Sequence, residues 1–169
     1  KKYVQRFLDV TKADMFFAKS LILVEGIAEQ LLIPEFSEML EISLTDAHVS
    51  IINVNGRYFS HFLKLFDRNK CQYAISKKVV CLTDLDPVRK NIKEDDSSWE
   101  SCLPILFNCD LDSYEYKANS NGLIALYPDK TDKDMIRVYT EKEGCTFEYE
   151  MLLENPKCKG LLTDSVSNK

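Results

Sequence analysis

No run of about eighteen or more apolar residues occurs in the chain, so nothing in it is long enough to cross a bilayer as a helix. The opening "KKYVQRFLDV" also lacks the apolar stretch of a secretory signal. A soluble, cytoplasmic protein with no membrane contact is the expectation. There is no C-x-x-C among the cysteines at 71, 81, 102, 109, 145 and 158, and only His48 and His61 supply imidazole. That scarcity leaves a zinc site little support, and the irregular spacing suits reduced thiols better than a disulfide framework. Positive charge is not in surplus either: the net charge of −5 argues against an evenly basic nucleic-acid binder. It still allows an enzyme that holds divalent ions on carboxylates, because bound cations reverse the sign where a phosphate must approach. An internal repeat is absent, and so is an initiating Met. The charged, helix-like start leads us to expect a piece of a longer polypeptide, although Met removal or a trimmed end would give the same beginning.

What is present is a chain of 169 residues, 45% hydrophobic, enough for one domain with a buried core. Three apolar runs, "LILV" (21–24), "VSIINV" (49–54) and "KVVCL" (78–82), are continuous where a half-exposed strand would alternate. They read as strands covered on both faces, with Cys81 as a small buried hydrophobe. Between the first two, Ala28, Leu32, Phe36 and Met39/Leu40 recur at helical spacing, with a kink or fresh start expected at Pro34. Between the second and third, Phe59, Phe62, Leu63 and Phe66 do the same. The β-α-β-α-β pattern implies an α/β fold with a parallel sheet and helices packed on it. Residues 1–19 read as a helical lead-in. After Asp86 the texture turns polar, and 87–130 reads as a long irregular insertion with a short strand at "GLIALY". A further strand follows at "DMIRVYT" (134–140), then a helix in "TFEYEMLLEN" (146–155) with Thr146 as N-cap, and 156–169 reads as a C-terminal tail, truncated from a larger protein, whose last residues "LLTDSVSNK" are frayed.

Acids gather where this pattern puts the carboxyl ends of the strands, the edge at which open parallel sheets bind ligands. Glu25 ends the first strand and Glu29 lies one turn into the following helix. Asp84 and Asp86 end the third strand in "LTDLDP". In extended chain, i and i+2 point the same way, so the two aspartates are expected to face one gap. Clustered carboxylates repel and lose hydration unless a cation compensates, and hard oxygen donors suit Mg²⁺ or Mn²⁺. Gly26 would permit a tight strand-to-helix turn and let a phosphate approach the helix N-terminus. Taken singly, a D-x-D is usually a solvated loop and an E-x-x-x-E an exposed helix face. Their recurrence after apolar runs one and three is what points to metal.

"LILVEGIAEQLLIP" followed by "VVCLTDLDP" resembles the Toprim domain shared by topoisomerases, DnaG-type primases and some nucleases, with its Glu-Gly after strand one and D-x-D after strand three. "FFAKSLILVEGIAEQLLIPEF" together with "TFEYEMLLEN" is similar, more narrowly, to the C-terminal part of overcoming-lysogenization-defect (OLD) nucleases. The resemblance spans roughly residues 12 to 155. It implies a Toprim-like Rossmannoid over 20–155, with a mostly parallel four-stranded sheet flanked by helices and an insertion after the third strand. It further implies a DNA endonuclease using two divalent metals, joined in the same polypeptide to an N-terminal ABC-type ATPase domain that alone handles ATP, and assembled as a homodimer. By matched position Glu25, Asp84 and Asp86 would hold metal, Glu29 would complete a second site, and Glu148 would be a further ligand. The family also implies a lysine beyond the "TFE" helix. Only Lys157, Lys159 and Lys169 remain there, none in a matching context, so the fragment alone is expected to be weak or inactive.

Other residues carry two readings. Arg57, with Asn55 in "NVNGRYF", lies at the end of the second strand, where it would contact a phosphate or be an ordinary loop arginine. His61 reads as structural, and Tyr58 is not taken as a nucleophile. Trp99 would form a partner surface or pack within its loop. Two other functions fit the acid pattern: a primase- or topoisomerase-type Toprim module, or a non-catalytic Mg²⁺-binding regulatory domain. A phosphoacceptor receiver domain would show adjacent acids after its first strand, where this chain has Glu-Gly.

Overall fold

A computed structural model describes residues 13–118, 122–128, 135–142, 146–158 and 160. The chain divides into two units, Lys1–Thr83 with Asn121–Thr140, and Asp84–Ser120 with Glu141–Lys169.

The first unit is built on the apolar runs. Helix α1 (Asp14–Phe17) leads into β1 (Ser20–Val24), helix α2 (Ile27–Met39), β2 (Val49–Asn53), helix α3 (Phe59–Leu63) and β3 (Lys78–Leu82). Beyond the excursion into the second unit come helix α4 (Gly122–Leu126) and β7 (Ile136–Tyr139). The four strands form an all-parallel sheet in the order β2-β1-β3-β7; burial alternates along β3 and β7, with Val79, Cys81, Ile136 and Val138 buried and Val80, Leu82 and Tyr139 half-buried, so the two faces are not covered alike as the continuous runs led us to expect. Leu21, Leu23, Val79, Cys81 and Val138 from the strands pack with Phe59, Phe62, Leu63 and Phe66 in one core. Burial pushes the Cys81 thiol far above its ordinary range, so it behaves as the expected hydrophobe. Lys77 is also buried, and its ammonium donates to the carbonyls of Met15 (2.8 Å) and Phe16 (3.0 Å). It thereby satisfies carbonyls that the end of a four-residue helix leaves open.

Three local readings are corrected. Helix α2 spans Pro34 as one helix, so no fresh start occurs there; one forfeited donor is outweighed by the rest of a 13-residue helix. Helix α3 stops at Leu63, although Phe66 is buried as its spacing implied. Tight turns at Phe66 and Asp67 keep that periodicity past the helix end. "GLIALY" holds helix α4, not a strand; a short apolar run does not distinguish the two by periodicity.

The second unit occupies most of the charged stretch after β3 and is more ordered than its composition suggests. Strands β4 (Val88–Asn91), β5 (Glu100–Ser101) and β6 (Tyr114–Lys117) form an antiparallel sheet in the order β5-β4-β6. Helix α5 (Phe147–Glu154) starts as read, with the Thr146 hydroxyl accepting from the Tyr149 amide at 3.3 Å. Trp99 packs under the Lys117 ammonium, 3.8 Å from its ring centre. The expected start of the lead-in, before residue 13, and the frayed end of the tail lie outside the described residues. Among the described residues no helix is long and apolar enough to cross a membrane.

Candidate metal centre

The parallel register puts Val24, Asn53, Leu82 and Tyr139 level across the sheet. The next residues, Glu25 on β1 and Thr83 on β3, therefore emerge side by side at the carboxyl edge. The strand order reverses here: the chain goes from β1 to β2 on one flank and returns to β3 on the other. Such a switch point is where α/β sheets accept ligands. The Thr83 hydroxyl donates to Glu25 Oε2 at 3.0 Å, and Arg57 Nε stands 3.8 Å from Glu25 Oε1. The loop after β2 brings Arg57 there. Val54 N–H donates to the Val24 carbonyl and Gly56 N–H to the Glu25 carbonyl, both at 2.9 Å. Asn55 N–H donates to Asn53 Oδ1 at 2.7 Å, an Asx turn, and Gly56 has φ +95°, a conformation that favours glycine.

Glu29, a carboxylic side chain, is buried at 5% exposure. It occupies the third position of α2, from which a glutamate side chain folds back over the helix start. A Cβ placed on Gly26 would lie 3.0 Å from Glu29 Oε2. Gly26 itself is extended, with φ −130°, so the need for glycine is close approach and not an unusual backbone angle. The occupant of that space is a carboxylate of this chain.

Asp84, Asp86 and Glu148 belong to the second unit. Oδ1 of Asp84 is closed to solvent. The expectation that Asp84 and Asp86 share a face through extended geometry does not hold: Asp86 has φ +48°, and i, i+2 alternation needs regular strand backbone. An aspartate tolerates this left-handed conformation better than most residues. Glu141, just past β7, accepts from Leu85 N–H at 3.1 Å and so holds the middle of the D-x-D segment. An acid directly after a fourth parallel strand carries the same signal as Glu25, although no motif marks Glu141. Glu148 is exposed on the first turn of α5. His61 is also exposed, its ring 6.3 Å from that of Tyr58. Lys157 is exposed, and Lys159 and Lys169 lie outside the described residues.

Among the described residues, no group of three or more His, Cys, Asp or Glu side chains is gathered as a metal cage. The donor chemistry nevertheless fits a hard cation. The candidate ligands offer only carboxylate oxygen, and Glu29 and Asp84 Oδ1 are withdrawn from water, where a bound cation offsets the cost of a buried negative charge. A cleft of about 520 Å³, lined by Phe66, Asp67, Lys70, Tyr127 and Ile136 among others, opens near the start of β7. That is the amino edge of the sheet, opposite Glu25.

Residues 16–86 match the family described as "Overcoming lysogenization defect protein-like, TOPRIM domain". The resemblance drawn from the Glu-Gly and D-x-D motifs is borne out over this segment, which ends at Asp86 and does not extend to "TFEYEM". Among solved structures, the chain is similar to the C-terminal region of the Burkholderia pseudomallei OLD protein. Identity there is 40%, covering 48% of this chain and 35% of that one, with a TM-score of 0.39. It is also similar to the C-terminal region of the Xanthomonas campestris pv. campestris OLD protein, at 35% identity over 41% of this chain and 32% of that one, with a TM-score of 0.37. The matches thus span about a third of those solved chains. No curated protein matches.

Proposed function

We propose that the chain is the DNA-cutting module of an OLD-type nuclease, hydrolysing phosphodiester bonds with two divalent ions, Mg²⁺ or Mn²⁺. The observation that carries this reading is the family match over 16–86, which takes in Glu25, Gly26, Glu29, Asp84 and Asp86. Glu25 stands at the sheet's switch point, in keeping with such a role. In this reading Glu25, Asp84 and Asp86 would hold metal, Glu29 would complete a second site, and Glu148 would be a further ligand for it. When bound, two such ions supply an activated water and charge neutralisation at the leaving oxygen.

The chain's own residues bind and orient. Arg57 supplies a guanidinium whose fork suits phosphate oxygens, while the open side of Gly26 is taken by the Glu29 carboxylate, which leaves a phosphate there only the backbone amides at the start of α2. ATP enters only through a separate N-terminal ABC-type ATPase domain of the same polypeptide, and a homodimer is the expected assembly. Plasmid nicking and calorimetric Mn²⁺ binding test the reading. Both should be present in the parent polypeptide and lost on Glu25→Ala or Asp84→Ala while the circular dichroism spectrum is retained. Cutting unchanged by both substitutions, or no binding at millimolar Mn²⁺, would overturn it. Metal binding without cutting by the chain alone would mark a truncated nuclease.

A further inference from the structure

We infer that the Glu25 carboxylate is shared between two side chains with opposite effects on metal binding: Thr83 positions it, and Arg57 competes for it. The inference rests on the metal-binding reading above and adds two residues of defined sign to it. Thr83 lies one step past β3, in register with Glu25 one step past β1, and at 2% exposure its hydroxyl cannot exchange its partner for bulk water. It donates to Oε2 at 3.0 Å. A carboxylate oxygen can accept more than one bond, so this contact fixes the Glu25 rotamer without consuming the other oxygen. Thr83 is a positioning residue, acting through Glu25.

Arg57 stands at that other oxygen, Oε1, at 3.8 Å. A guanidinium there neutralises Glu25 when no metal is present and occupies the direction a metal would use. Its own side chain is 47% exposed, so water can solvate the guanidinium when it leaves Oε1. A divalent cation held by Glu25 would repel the guanidinium. The loop anchored by Gly56 N–H on the Glu25 carbonyl keeps the displaced Arg57 at the same edge, available to a phosphate. Metal binding thereby converts Arg57 from a counter-ion of Glu25 into a contact for the nucleic-acid backbone.

Calorimetric titration of Mn²⁺ into wild type, Thr83→Val, Thr83→Ser, Arg57→Gln and Glu25→Gln separates these roles. Thr83→Val should weaken Mn²⁺ about tenfold or more, as loss of a hydrogen bond to a ligating carboxylate does, and Thr83→Ser should restore it. Arg57→Gln should tighten Mn²⁺ about two- to fivefold, the range expected on removing a competing surface ion pair. A second readout is the salt dependence of DNA binding. Arg57→Gln should lower the log–log slope by about one with Mn²⁺ present, the signature of one lost phosphate contact, and leave it unchanged in EDTA. Mn²⁺ binding lost in Glu25→Gln but indifferent to both Thr83→Val and Arg57→Gln would overturn this inference alone. Binding absent in wild type, or unchanged in Glu25→Gln, would overturn the metal reading and the inference with it. If Thr83→Val fails to fold, the opposite sign required of Arg57→Gln still decides: unchanged or weakened Mn²⁺ binding there refutes the competition.

Discussion

Phe59, Phe62 and Leu63 of the first unit are sealed between helix and parallel sheet, whereas in the second unit β5 is exposed and β4 only half-buried. The second unit is held by contacts of another kind. The Arg89 guanidinium pairs with Glu100 at 2.7 Å and lies over the Tyr114 ring at 4.5 Å, and Phe107 meets Tyr116 edge-on at 5.5 Å. Burial of apolar area stabilises by about 25 cal/mol per Å², while an exposed ion pair contributes about 0–1 kcal/mol. The family match covers almost only the first unit, ending at Asp86, and this is also where the core lies. The difference teaches that one unit can serve as a rigid base for Glu25, while the other depends on contacts that water and salt weaken.

The most severe way to break this comparison is to delete one ring from each unit. Phe62→Ala should cost about 3–5 kcal/mol in urea unfolding, as expected for a fully buried aromatic. Tyr114→Ala should cost only about 0.5–1 kcal/mol, the worth of an exposed cation–π contact. A Tyr114→Ala loss equal to that of Phe62→Ala would reverse the assignment of the core.

A gentler probe uses two buried cysteines, one in each unit. Cys81 and Cys102 are both nearly inaccessible, and burial raises both thiols. Alkylation then requires local opening. Exposed Cys109 and Cys158 should label at once, Cys102 next and Cys81 last, read by peptide mass spectrometry. Cys102 should react at least about tenfold faster than Cys81, a gap of about 1.4 kcal/mol in opening free energy. Equal rates would mean that the two units open together.

The same contrast explains what could be read from sequence. Continuous runs such as "KVVCL" announced a parallel sheet although only alternate residues, Val79 and Cys81, are fully buried, and Glu25 was legible because it follows such a run. The sheet β5-β4-β6 was not, because its stability comes from cross-strand ions and rings that leave no periodic trace. Thr83 was missed for a different reason: a lone threonine carries no chemical signal until register sets it beside Glu25. The left-handed backbone of Asp86 and the use of Gly26 as space for the Glu29 carboxylate are three-dimensional facts that spacing does not encode. Glu141 was legible in principle, as an acid after a strand, and was overlooked because no motif marks it.

A smaller effect tests whether the second unit's helix depends on its cap. Thr146→Ala removes the hydroxyl that accepts from the Tyr149 amide, and the 3.3 Å length suggests a weak bond. The expected loss is about 0.5–1 kcal/mol, toward the low end for N-caps, seen as faster amide exchange over Phe147–Glu154. Exchange in β1 and β3 should stay as in wild type; protection lost there as well would show that α5 supports the parallel sheet.

The smallest effect is a pH dependence inside the first unit. Tyr127 donates to Asp67 Oδ2 at 2.9 Å and accepts from Lys70 Nζ at 3.0 Å. Burial, with the bond to Asp67, raises the Tyr127 phenol above its ordinary 10.0 even though Lys70 pulls it down. The bond to Tyr127 raises Lys70 above 10.5. Both groups therefore hold their protons more tightly folded than unfolded. Their stabilisation is complete below about pH 10 and is lost as pH rises through the folded values. Lys77 works in the other direction: burial lowers its pKa below 10.5, so the cost of keeping it charged fades as pH rises toward that value. Tyr127→Phe removes the first contribution and leaves Lys77 in place. Urea midpoints between pH 8.5 and 11 should fall less steeply for Tyr127→Phe than for wild type. An equal or steeper fall would mean that the Asp67–Tyr127–Lys70 chain contributes nothing to the alkaline limit of the first unit.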